Sequence, residues 1–510
     1  MTDSRSIQSI IIVIVVAVMA AWLGVAVVTD QMETLIKVGG AGLLITCVLL
    51  GKRVWLAMIF LSAMQVPLIR GFGTDQLGQV LFIGFSLMLI AIRRLHLQFK
   101  VTELEVWIML VGVMIAQAYL RNPVGLNMFG GSTVGAKPYF VAGLAFCSGW
   151  LLSWIKLPAS ELRWAMRLTL LGTFVGLPIS FIRHRFGGGE VGEMGSISMV
   201  NQAGGSTRIP LFARLAEILS RLVVSYISPI RAVLSPKWGL VLVVSLGIAA
   251  ASGYRNAVAT VGLTYMLGVI YRSGFGAALL STIAGSILLG ALALYNIAAP
   301  LPGNIQRALS PLPGSWEERH VKDAENSTEW RVEMWKAALL TDDWIRNKYL
   351  GDGLGMTAEE LRRLQSLSAG GRDSWTGAGG LTIQQENMML TGGYHSGPVQ
   401  TIRTVGYVGL AVFLFAMVRL AVHAHRQIRR CRGTEWEPVA YFFGIPLLVL
   451  PIFFTFVFGE FSQAASLVFL GFAMVRLMER NLPLPEWKKA VPEPWVPLSR
   501  RNAIGASNPG

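Results

Sequence analysis

Only three cysteines occur in 510 residues, Cys47 and Cys147 in apolar runs and Cys431 in a basic stretch. That placement excludes a disulfide-stapled ectodomain within the chain, and no CxxC pair exists to hold zinc. Charge is scarce too, at 14% of residues, with 29 acidic against 44 basic side chains. The resulting +15 would suit a nucleic-acid partner if it were gathered on one domain, but it is scattered over short loops between apolar runs, so no nucleic-acid partner is expected. No GxxxxGK[ST] phosphate loop and no HExxH is present. His96, His184, His320, His423 and His425 are read as loop residues without a repeated metal-ligand spacing, so neither a metal nor a cofactor is expected. The apolar runs also lack strict alternation, which excludes a β-barrel.

What the chain does have is apolar length. Apolar residues make up 53% of it and mean hydropathy is +0.54, the composition of an all-α polytopic membrane protein. Runs long enough to span recur from Ile10–Val28 to Ala464–Leu477. The first exceeds a signal-peptide core and lacks a small-x-small cleavage site, so it reads as a retained span. Lys52 and Arg53, then Arg93, Arg94 and Lys100, then Lys156, Arg163 and Arg167 make every second loop basic, which the positive-inside rule assigns to the cytoplasm. Arg231 and Lys237, Arg272, the HAHRQIRRCR run from His423 to Arg432, and a tail with Arg476, Arg480, Lys488 and Lys489 continue the alternation. The expected total is about 12 to 14 transmembrane helices with both termini inside. Pro210–Ile227 carries Arg214, Glu217 and Arg221. It is read as a span whose charges face the bundle interior, against the competing reading of a helix lying on the membrane surface.

One insertion, 300–398, is too polar to span and is expected to form an extracytoplasmic loop subdomain with short helices. It separates an N-terminal transmembrane bundle (1–299) from C-terminal transmembrane helices (399–478) and a cytoplasmic tail (479–510). Within it, Ser327–Leu340 places Arg331, Met334, Trp335 and Ala338 on one face of an amphipathic helix. GDGLG (Gly351–Gly355) reads as a turn, and the TAEE beginning at Thr357 as a capping box opening a second helix. Ala369–Gly380, rich in glycine, reads as a loop, either a lid or a linker.

Three outer-side features offer chemistry. Arg255 stands in a very short hairpin, SGYRNA, either as an anchor at the membrane surface or as a clamp whose fork matches phosphate oxygens. Arg331, with Trp335 one turn on, is either a packing pair or part of a site. His395, in GGYHSGPVQTIRTVGYVGL, precedes a span with Arg403 further into it, and histidine exchanges protons near neutral pH.

In their order along the chain, SGYR (Ser252–Arg255), RVEMWKAAL followed by GDGLG (Arg331–Gly355) and ENMMLTGGYHSGPVQTIRTVGYVGL (Glu386–Leu410) resemble the O-antigen ligase family of membrane glycosyltransferases. The resemblance covers roughly Leu211–Leu477. It implies transfer of a glycan from a polyprenyl-diphosphate carrier to a hydroxyl of a lipid, glycan or protein acceptor on the outer side of the bacterial inner membrane, without a nucleotide sugar or an essential metal. It assigns His395 as catalytic base and Arg255 and Arg331 as donor-diphosphate ligands, with Trp335, Glu386 and Arg403 as candidate supporting residues. A polysaccharide polymerase of the same superfamily uses the same donor and is not separated by sequence. A transporter or flippase is disfavoured because no internal repeat is visible and the distinctive charges cluster on the outer side.

Overall fold

The computed structural model describes residues 40, 42, 44–69, 72–124, 135–186, 201–203, 206–310, 314–357, 360, 362, 388–390 and 392–483. Its helices are α1 (Val54–Met64), α2 (Thr74–Ala91), α3 (Glu103–Arg121), α4 (Lys137–Trp154), α5 (Ala159–Phe186), α6 (Pro210–Tyr226), the short α7 (Pro229–Val233), α8 (Pro236–Ala251), α9 (Arg255–Ser273), α10 (Phe275–Ala298), α11 (Gly303–Leu309), α12 (Glu318–Leu340), α13 (Gly397–Cys431), α14 (Glu437–Phe456) and α15 (Phe461–Asn481). Sheet is confined to two antiparallel hairpins, β1 (Pro67–Ile69) with β2 (Phe72–Gly73) and β3 (Asn201–Ala203) with β4 (Ser206–Arg208). Seven helical stretches are long and apolar enough to cross a bilayer: Leu44–Met64, which contains α1 and a left-handed Gly51, and then α2, α3, α10, α13, α14 and α15. This is an all-α, multi-pass membrane protein. The first apolar run, Ile10–Val28, lies outside the described residues.

Hydrogen bonds fix which helix ends lie together. Arg480 donates to the Ser153 and Gln98 carbonyls at 2.6 and 3.0 Å, joining the ends of α15, α4 and α2. Arg272 pairs with Glu437 at 2.9 Å, and Arg53 with Glu161 at 3.0 Å. The Arg163 guanidinium covers the Trp436 ring at 4.3 Å. The basic loops between spans therefore gather at one end of the bundle. At the other end lie the SGYR hairpin, α11, α12, the GDGLG turn and His395.

α6 runs between these two ends. Ile209 N–H, preceding it, donates to Ser252 O at 2.9 Å, and near its last turn Ser225 O accepts from Arg272 at 2.6 Å. It packs on α8, α9 and α14. Arg214 turns inward and donates to Ala63 O at 3.3 Å, while Arg221 pairs with Glu217 at 3.5 Å. By contrast α10 leaves Leu280, Ile287, Leu288 and Leu294 exposed and packs mainly on α9, the placement of a lipid-facing outer helix.

Two sequence expectations need correction. HAHRQIRRC is helical, because α13 continues for 35 residues to Cys431. Its apolar spacing keeps Ala424, Ile428 and Cys431 buried, so the inner stripe persists past the membrane-length segment. His423 and His425 are therefore helix residues, bonded to Glu479 at 2.6 Å and to Tyr271, and His184 and His320, also read as loop residues, fall within α5 and α12. Arg255 is likewise not a loop residue. A left-handed Gly253 (φ 71°) turns the chain within Ser252–Tyr254, and Arg255 is the first residue of α9.

Candidate functional site

The site end is organised around a break in α13. Gly406 has φ 76° and ψ −179°, a conformation open in practice only to glycine, which divides the helix into Gly397–Val405 and a longer second part. A helix break leaves backbone groups unpaired, and in an apolar surrounding each costs several kcal/mol. The GDGLG turn and the residues just before it supply the partners. Asp352 N–H and Gly353 N–H donate to the Arg403 and Thr404 carbonyls at 2.6 and 3.0 Å. Lys348 O and Tyr349 O accept from Tyr407 N–H and Val408 N–H at 2.8 and 3.2 Å. The fit needs glycine on both chains: a Cβ on Gly406 would stand 2.0 Å from Tyr349 O, and one on Gly351 2.4 Å from the Thr404 carbonyl carbon.

The turn is fastened from other sides as well. Asp352 accepts from the N–H groups of Arg346 and Asn347 at 2.8 and 2.9 Å. Arg121, ending α3, donates to Leu350 O and Gly351 O at 2.8 and 2.6 Å, and the Tyr139 hydroxyl accepts from Leu354 N–H at 2.7 Å. Arg403 is only 5% exposed and donates to Gly353 O and Leu390 O, with Glu360 at 3.7 Å. It acts as a lock between turn and helix. Arg121, Asp352, Glu360 and Arg403, with Trp344 and Arg346, line a recess of about 370 Å³. The expected capping box is present: Thr357 N–H donates to Glu360 Oε2 at 2.8 Å and Glu360 N–H to Thr357 Oγ1 at 3.2 Å.

α12 brings two more of the expected residues to this end. It starts nine residues before Ser327, a polar stretch without apolar periodicity that gives no helix signal in sequence. Its inner face is the one expected: Met334 and Ala338 are fully buried, Arg331 and Trp335 partly so, while Val332, Glu333 and Lys336 face out. The Trp335 indole N–H donates to Tyr394 O at 2.7 Å, which ties α12 to the residue before His395. Tyr394 is fully buried beside Arg403; burial pushes its phenol up to about 12, and the hydroxyl makes no well-formed hydrogen bond among the described residues.

His395 follows at φ 52°, partly exposed. Its ring stacks on Phe458 at 5.6 Å and meets the edge of Trp330 at 6.2 Å. Ser396 caps α13, its hydroxyl accepting from Val399 N–H. Arg255 lies at the same end of the bundle, with α11 packed on α9 and α12 between the two arginine-bearing helices. Arg307 of α11 donates to Gly253 O at 3.0 Å and so holds the SGYR turn.

His395, Trp335, Arg331 and Arg403 are thus brought to one assembly, and Arg255 to a neighbouring helix end. Glu386 and the glycine-rich Ala369–Gly380 lie outside the described residues. Arg121, Lys137 and the Phe458–Glu460 loop also belong to this end and were not singled out from sequence. Arg121 and a 2% exposed Lys137 had a readable signal, as basic residues at the end opposite the basic loops. Among the described residues no three His, Cys, Asp or Glu side chains cluster as a metal would require. Compared with known families and curated proteins, the chain matches no family model and no curated sequence.

Proposed function

We propose that the protein is a membrane glycosyltransferase that moves a glycan from a polyprenyl-diphosphate carrier to an acceptor hydroxyl, at the outer side of the bacterial inner membrane. The observation that carries the reading is the docking of the Arg331-bearing helix onto the His395 segment through Trp335 and Tyr394, at the end of the bundle away from the basic loops. In this reading α4, α5, α6, α8 and α9 also cross the bilayer, which brings the spans among the described residues to 12. The resemblance to O-antigen ligases supplies the reaction class.

The chemistry fits the side chains. His395 takes the acceptor's proton as its oxygen attacks the anomeric carbon. The bond from that carbon to the carrier's phosphate oxygen breaks, and the diphosphate leaves with an added negative charge. Arg331 and Arg255 offset that charge, the latter aided by the positive end of α9. Purified protein with a defined polyprenyl-diphosphate glycan and a hydroxyl acceptor should form the glycosylated acceptor and release carrier diphosphate, with or without chelator. No transfer to lipid, glycan or protein acceptors would overturn the reading.

Arg255→Lys and Arg331→Lys keep charge but lose the planar fork. Loss of a charge-assisted hydrogen bond is worth about 1.5–3 kcal/mol, so turnover should fall roughly 10- to 100-fold while the protein still inserts. Wild-type turnover in both variants would remove the arginines from the donor site.

Sidedness has its own test. Ser315 is exposed at the site end, and Glu435 is exposed at the basic end. In intact cells an impermeant thiol reagent should label Ser315→Cys and not Glu435→Cys. The reverse pattern would invert the orientation.

A further inference from the structure

The loop between α14 and α15 is fastened to the His395 segment at three points. Phe458 stacks on the His395 ring at 5.6 Å. Gly459 lies so close to the start of α13 that a Cβ on it would stand 2.7 Å from Gly397 Cα. Phe461 N–H donates to Gln400 Oε1 at 3.0 Å. The remaining residue of this four-residue run is Glu460.

Its side chain is partly exposed, so the carboxyl borders open space and is not sealed in the core. Among the described residues it has neither a hydrogen bond nor an ion pair. Among the residues whose side chains are described, the charged or titratable groups at this end of the elements packed against α15 are Arg121 of α3, Lys137 of α4 and Arg403 of α13, together with His395. Burial pushes the carboxyl above its ordinary range. A structural carboxylate in such a position would be expected to find a cation or an N-terminal N–H; Glu460 precedes α15 as its cap residue yet makes no side-chain cap bond.

We propose that Glu460 is a second proton-exchanging residue of the His395 site, receiving the proton that the imidazole takes from a hydroxyl acceptor and returning it to water. The assignment of an acceptor hydroxyl rests on the glycosyltransferase reading; the carboxyl itself does not. The proton moves from the acceptor oxygen to His395 and on to the Glu460 carboxylate, then to solvent, so the histidine is again neutral for the next turnover. A carboxyl raised above its ordinary range holds a proton more readily than an exposed one, which suits it to this step.

Two measurements on the full chain in lipid vesicles test it. Dicyclohexylcarbodiimide modifies protonated carboxyls in apolar recesses, so mass spectrometry should find it on Glu460 at a higher pH than on exposed carboxyls of the same chain, with modification falling as pH is raised further. In the transfer assay Glu460→Gln should lower turnover on the order of 10-fold or more at unchanged donor KM, with an altered pH profile. Glu460→Asp, which keeps the carboxyl, should recover most of the activity. An unmodified Glu460, or a glutamine variant with wild-type turnover and pH profile, would overturn the proposal. Modification of Glu460 in a wild-type protein that transfers no glycan would uphold the proton-exchanging carboxyl and remove the transferase reading.

Discussion

Replacing His395 with alanine is expected to lower glycan transfer on the order of 100-fold or more, the usual contribution of a positioned general base, with little change in donor affinity. The donor's diphosphate is assigned to Arg255 and Arg331, which the substitution does not touch. Alanine alone is an incomplete test, because residue 395 has φ 52° and its ring fills the space between Phe458 and Trp330. Asparagine enters the left-handed region more readily than other residues that carry a side chain, so His395→Asn keeps the backbone while removing the base. Both variants should be inactive, and His395→Gln nearly so. The pH dependence has a definite sign: the base must be neutral to accept a proton, so wild-type turnover should decline as pH falls through the histidine range while donor binding persists. An active asparagine or glutamine variant would mean that the ring only orients the acceptor. An active alanine variant would take His395 out of the chemistry.

Features that depend on local spacing were legible in the sequence. The inner face of α12, the GDGLG turn, the Thr357 capping box and the basic loops all rest on patterns a few residues long, and tertiary packing left them in place. What escaped depends on contacts between distant segments. GYVGL reads as an ordinary start to a span, and nothing near Gly406 announces that residues 348–353 will complete its hydrogen bonds. Arg403 is visible as a charge entering a span, but its commitment to Gly353 O and Leu390 O appears only once the turn is in place. Glu460 was readable in principle, as a lone carboxyl between two apolar runs, FTFVFGEFSQAAS. Its tie to His395 runs through Phe458 and Gly459, which carry no sequence signature. His423–Arg432 was misread for the opposite reason: charge density suggested a loop where a buried helical stripe continues.

Gly406→Ala is expected to be among the most damaging single changes in the described chain. The φ/ψ of Gly406 costs a residue with a side chain about 1–3 kcal/mol. Its Cβ would also stand 2.0 Å from Tyr349 O and 2.3 Å from Leu350 N, and neither is the end of a flexible side chain that can swing away. Relief requires the turn to withdraw, which would strip the Arg403 and Thr404 carbonyls and the Tyr407 and Val408 N–H groups of their partners inside the bundle. The turn is also held by Arg121 and Tyr139, so its displacement should loosen α3, α4 and the recess together. The expected result is poor accumulation of folded protein, or a midpoint of thermal unfolding in detergent lowered by several degrees, with loss of transfer. Gly433→Ala separates the two causes: Gly433 is also left-handed, at φ 74°, but no atom lies within 4 Å of its added Cβ, so this variant should show the backbone strain alone. If Gly406→Ala proves no worse than Gly433→Ala, the turn does not occupy the helix break as described, and the interlock between the GDGLG loop and α13 does not hold the site.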